Sequence, residues 1–83
     1  MTKSFFYMSG IEVALGDIVN ISGDSTGVVI MVIQPGSQDA MDYHAPEGGV
    51  MFDAKGYGWF LHAGRSLEEA EDIEFMHRSV GVI

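Results

Sequence analysis

Eighty-three residues, 47% of them apolar and 19% charged, suffice for one small domain and exclude a two-domain enzyme, because independent folding units rarely fall below roughly 50 residues. Twelve acids against four cations give a formal charge of -8, which argues against a direct hold on nucleic-acid phosphates, since that hold depends on clustered Lys and Arg. No cysteine is present, so disulfides, thiolate zinc sites and thiol nucleophiles are ruled out.

A chain of this length buries only about 60 to 65% of its unfolded surface, so its core must use most of its large apolar side chains. No apolar run reaches the roughly 7 to 15 residues of a signal-peptide core or the roughly 18 of a membrane span, and a soluble, cytoplasmic protein is expected. Eleven glycines fall between short apolar runs, the punctuation of short strands and tight turns.

In chain order, Phe5 to Met8 and Ile11 to Val13 flank Ser9-Gly10, which predicts a hairpin closed by a two-residue turn. Gly16-Asp17 turns the chain into a strand over Ile18 to Ile21, and residues 22 to 27 form a polar loop. Val28 to Ile33 is six apolar residues, five of them β-branched, which suits a central strand covered on both faces. Residues 34 to 49 hold both prolines and three glycines and are expected to form one long surface loop. Val50 to Asp53 and Tyr57 to His62 form a second hairpin around Ala54-Lys55-Gly56, with Asp53 opposite Tyr57 as the preferred register and a two-residue Lys55-Gly56 turn, with Phe52 opposite Trp59, as the alternative. Strand alternation then places Val50, Phe52 and Phe60 on one face and Met51, Tyr57, Trp59 and Leu61 on the other. Ser66 with Glu69 three residues later has the form of a capping box, which predicts a short helical turn near residues 67 to 71. Beyond Glu71 two readings compete: the helix continues with Leu67, Ala70 and Ile73 or Glu74 on one stripe, or Ile73, Phe75 and His77 alternate with Glu74, Met76 and Arg78 in a closing strand, which is the preferred reading.

The segment Gly16-Asp17-Ile18-Val19-Asn20-Ile21-Ser22-Gly23, followed by Gly27-Val28-Val29, resembles the KOW-type element of small barrels like the Src-homology-3 domain. The resemblance covers about 20 residues and implies one mainly β, antiparallel SH3-like barrel of five or six strands spanning residues 1–83. The family often binds nucleic acid or ribosomal partners through basic loops. Here the matching loop carries Asp24, and no Lys or Arg lies between residues 4 and 54. A weaker resemblance, over Gly10-Ile11-Glu12-Val13-Ala14-Leu15-Gly16-Asp17, Gly27-Val28-Val29, Gly49-Val50-Met51 and Tyr57-Gly58, is to small acidic bacterial proteins of toxin-immunity type. It implies a protein-binding inhibitor and transfers no site.

Two features bear on function. Glu68, Glu69, Glu71, Asp72 and Glu74 place five carboxylates within seven residues, a run able to steer and select a basic partner. Met51, Tyr57, Trp59 and Leu61, joined by Tyr43 from the long loop, are candidates for an apolar contact centre, since Trp and Tyr are over-represented among binding hot spots; the same residues could equally be covered core. His44, His62 and His77 match no zinc spacing, and the loop serines no nucleophile elbow. No catalytic residue, metal or cofactor is therefore expected. The reading is a stoichiometric inhibitor of a basic protein partner, with Met51, Tyr57, Trp59, Leu61, Tyr43, Glu68, Glu69, Glu71 and Asp72 as its contact set. The alternative is a self-associating adaptor module, a homodimer in the simplest case.

Overall fold

In the computed structural model, which describes residues 3–78, five strands form one antiparallel sheet: β1 (Ile18–Ile21), β2 (Ser25–Ile33), β3 (Gly49–Ala54), β4 (Gly58–Ala63) and β5 (Ile73–His77). Their spatial order is β4-β3-β2-β1-β5. The long β-branched run is thus the central strand, and the mainly β class holds. Among the described residues no further strand lies beside β4 or β5, so the sheet does not close into a complete barrel.

The main core lies on one face of this sheet. Val19 of β1, Val29 of β2, Val50 and Phe52 of β3, and Ile73 of β5 meet Phe5, Tyr7 and Val13 from the N-terminal hairpin, with Leu67 and Ala70 following β4. Phe52 and Phe60 sit directly opposite each other and stack with ring centroids 5.2 Å apart. Gly27 lets the tip of the Ile21 side chain lie close against β2, where a Cβ would push it aside. A register shift between Val29 and Met31 turns Met31 away from that face. β2 is thus fully buried at Val29 on the core face and at Ile33 on the other, with Val28, Ile30, Met31 and Val32 half-buried, so the expected cover on both faces is met in part.

The N-terminal hairpin forms, but its turn has three residues rather than two. The Gly10 N–H reaches the Tyr7 carbonyl (2.8 Å) and the Tyr7 N–H the Ile11 carbonyl (3.0 Å), with Gly10 at φ 92°. Only the Phe6–Glu12 bridge extends it. The expected loop over residues 22 to 27 contracts to Ser22-Gly23-Asp24. Both Ser22 (φ 56°) and Gly23 (φ 82°) are left-handed, the backbone that matches strand twist in a tight hairpin, so β2 starts at Ser25.

The expected loop over residues 34 to 49 is not featureless. It contains the helix α1 (Gln38–Asp42), whose first turn is capped by Ser37 Oγ accepting from the Ala40 N–H. At its far end the Ala45 N–H reaches back to Ala40 (2.8 Å) and the His44 N–H to Met41 (3.3 Å), with His44 at φ 56°. This is a Schellman closure that usually employs glycine.

The β3–β4 hairpin is shifted by two residues from the expected pairing. Asp53 faces Trp59, not Tyr57. The turn is Lys55-Gly56-Tyr57, closed by the Tyr57 N–H on the Ala54 carbonyl (2.9 Å), with Gly56 at φ 88°. Because the shift is even, the expected faces survive: Val50, Phe52 and Phe60 on one, Met51, Trp59 and Leu61 on the other. After β4 a 3-10 helix spans Gly64–Glu69, slightly earlier than expected and without the capping box. The Ser66 hydroxyl donates to the Ala63 carbonyl (2.5 Å) and meets His62 Nδ1 (2.9 Å), so it does not reach the Glu69 N–H.

Candidate functional site

The last strand and the first hairpin are held together by one carboxylate. Asp17 is fully buried. Its Oδ2 accepts from the Tyr7 hydroxyl (2.8 Å) and the Ala14 N–H (2.9 Å), and its Oδ1 accepts from Arg78 Nε (2.8 Å). A second Arg78 nitrogen reaches the Glu12 carbonyl (2.7 Å), and the guanidinium lies over the Phe75 ring, 5.4 Å from its centre. Phe75 in turn packs against Tyr7, with ring centroids 5.3 Å apart.

Burial pushes the Asp17 carboxyl up, but hydrogen bonds from Arg78, the Ala14 N–H and Tyr7, together with the Arg78 charge, outweigh it and hold the group below its ordinary value. Burial, and then the bond to Asp17 and its charge, push the Tyr7 phenol well above its ordinary value. The hydrogen bond to Asp17 likewise raises the Arg78 guanidinium, whose side chain is 48% exposed. Chemically this cluster is a locked ion pair: every lone-pair direction it uses is satisfied from within, and its task is to fix the hairpin against β5.

Fixing those two elements creates a groove of about 460 Å³ between them, lined by Tyr7, Met8, Ser9, Ile11, Glu71, Ile73, Glu74 and Phe75. Met8 and Ile11 are exposed apolar side chains on the hairpin wall, while Glu71 and Glu74 are exposed on the β5 side. The arrangement offers an apolar floor with two carboxylates at its rim, suited to a ligand that is both apolar and cationic.

The residues anticipated from sequence are distributed differently. Glu71 enters the groove, joined by Glu74. Glu68, Glu69 and Asp72 are exposed nearby in sequence but do not line it. Trp59 is 62% exposed on β4 and Tyr57 80% exposed at the hairpin turn, so this aromatic pair is a real surface feature. Tyr57 lines a separate shallow apolar hollow with Phe60, Ile21 and Ala54. Met51 is a correction: it is only 4% exposed and offers nothing to a partner. It lies on the face opposite the main core, in line with Met31 and Leu61, at the end of the sheet where Ile33, Ala40 and Ala45 are also buried. Leu61 is half-buried, and Tyr43 sits at the C-terminal cap of α1 with part of its ring exposed.

No protein-family model, curated protein or solved structure matches this chain. The five-stranded antiparallel sheet is compatible with a small SH3-like barrel, although it stays open and Gly27-Val28-Val29 lies inside β2 rather than at its start. Among the described residues no helix is long and apolar enough to cross a membrane, and no group of three or more His, Asp or Glu is gathered to hold a metal ion.

Nothing in the residue pattern marks the groove's hairpin wall. Met8 is the first residue of the turn and Ile11 the first after it, and their distance from Glu71 along the chain hides the pairing. The available signal is that both belong to a hairpin too short to bury every apolar side chain it carries.

Proposed function

We propose that this chain is a stoichiometric protein-binding module, of inhibitor or immunity type, that occupies and blocks a basic partner. The observation that carries the reading is the groove in which Met8, Ile11 and Phe75 lie beside Glu71 and Glu74. Apolar side chains at the centre of such a contact supply most of the binding energy, and surrounding charges set approach rate and partner choice. The remaining exposed acids of the 68–72 stretch extend the same negative field, and a formal charge of -8 gives it long reach at low salt.

The test compares wild type with Ile11→Asp and with Glu71→Gln/Glu74→Gln as immobilised baits. A basic protein retained by wild type should be lost from the first variant and should associate more slowly, with a weaker salt dependence, on the second. Identical retention and kinetics on all three baits would overturn the reading.

Self-association is favoured by a different observation: β4 is a free edge carrying the exposed Trp59, and free edges are templates for pairing. Light scattering over a hundredfold concentration range decides this alternative, which requires a dimer that persists at low concentration.

A further inference from the structure

We infer that the outer edge of β5 receives an extended, Lys- or Arg-bearing segment of the partner as a sixth strand, with an apolar side chain of that segment seated between Met8 and Ile11. This rests on the binding reading above and specifies its mode.

The register supplies the first argument. Asn20 faces Glu74 across the β1–β5 ladder, and the Ser22 N–H bonds the Asp72 carbonyl (2.7 Å). Alternation in an antiparallel ladder therefore turns the backbone groups of Asp72 and Glu74 toward β1 and those of Ile73 and Phe75 outward. The Ile73 N–H is taken by the Ala70 carbonyl (3.2 Å). Among the described residues no backbone bond from outside the sheet reaches the Ile73 carbonyl or either polar group of Phe75. This short row of unpaired groups borders the groove, which also holds the side chains of both residues.

Charge selects the occupant. A strand laid here brings its side chains past Glu71 and Glu74, so cations on it are attracted and acids repelled. A second copy of this chain is a poor occupant: its own β5 is bordered by the same acids, and its β4 sequence Gly-Trp-Phe-Leu-His-Ala has no Lys or Arg. The acids that bar self-pairing of this edge thus leave it open to a basic strand. Main-chain bonds would supply the affinity and alternate side chains the specificity, as in other strand-addition complexes.

The test uses the full chain with fluorescein-labelled octapeptides in anisotropy titrations: alternating Lys-Val, the same peptide N-methylated on the amides of one edge, and alternating Glu-Val. Binding of the Lys-Val peptide, a loss of about tenfold on methylation, as for two hydrogen bonds, a downfield shift of the Phe75 amide proton, and no binding of Glu-Val support strand addition. Equal affinity for the methylated and unmethylated peptides overturns strand addition while leaving the groove reading intact. Binding of the Lys-Val peptide that is unchanged in both Glu71→Gln/Glu74→Gln and Ile11→Asp, each with wild-type circular dichroism, overturns the groove reading as well. Absence of Lys-Val binding at millimolar peptide overturns the β5 proposal. If that happens while a basic protein is still retained by wild type and lost from Ile11→Asp, the groove reading stands alone.

Discussion

Replacing Asp17 should cost this protein a large part of its stability, and the amount follows from its partners. Asp17→Ala strands the Tyr7 hydroxyl and the Ala14 N–H, both of which donate to Oδ2 at under 3 Å. A buried donor left without an acceptor costs about 1–3 kcal/mol, so the pair amounts to about 2–6 kcal/mol. Arg78, half exposed, turns to water instead. A chain of 83 residues has a total stability of about 4–12 kcal/mol at roughly 0.05–0.15 kcal/mol per residue. The alanine variant should therefore melt on the order of 20 °C lower, if it folds at all. Asp17→Asn keeps the shape and one acceptor, and should lose about 2 kcal/mol by exchanging charge-assisted hydrogen bonds for neutral ones. The pH dependence gives a second, independent reading. The folded Asp17 carboxyl titrates below its ordinary value of 3.8. Its contribution is therefore complete above the unfolded value, near 4, and disappears as pH falls through the lower folded value. The gap between wild type and Asp17→Asn should stay level from about pH 8 to 5 and narrow below about pH 4. Urea unfolding followed by far-ultraviolet circular dichroism measures it, since the exposed Trp59 is a poor reporter of the core. A gap below about 0.5 kcal/mol, or one that widens in acid, would refute the role assigned to this ion pair.

Three further outcomes are expected. Phe52→Ala, which empties the centre of the core beside Phe60, should destabilise by about 3–5 kcal/mol, whereas Trp59→Phe should change urea stability by less than about 0.5 kcal/mol and leave binding as the property to watch. His44→Gly should stabilise by about 1 kcal/mol in thermal melts, because the left-handed backbone costs a side-chain-bearing residue about 1–2 kcal/mol and the added freedom of glycine in the unfolded chain returns part of that. Gly48→Ala should be far more damaging than Gly56→Ala: both are left-handed, but a Cβ at Gly48 collides with the Ile33 carbonyl while one at Gly56 meets open space. Similar midpoints for those two variants would mean that the packing around residues 33 to 48 is looser than described.

The strands were legible where the side chains themselves set the period. Val28 to Ile33 could be read as a central strand from branching alone, and the faces of the second hairpin survived a two-residue error because parity, not register, decides them. Helix α1 was hidden by Pro35-Gly36, which reads as loop, although Ser37 followed by Gln38-Asp39-Ala40 is an ordinary capped start. The capping box at Ser66 failed for the opposite reason: the local pattern was present, but the hydroxyl found the Ala63 carbonyl and His62 instead. Asp17 was legible only as turn chemistry. Its partners come from Tyr7 and Arg78, and nothing in the spacing of those residues distinguishes them from other tyrosines and arginines.

The bond from Arg78 to Asp17 spans 61 positions, and β5 lies beside β1, the first strand of the sheet. Until β5 docks against β1, the sheet lacks an edge strand and Asp17 lacks its counter-charge. The sheet gains its edge strand and Asp17 its counter-charge in one step, through contacts of long sequence separation that make folding slow rather than local.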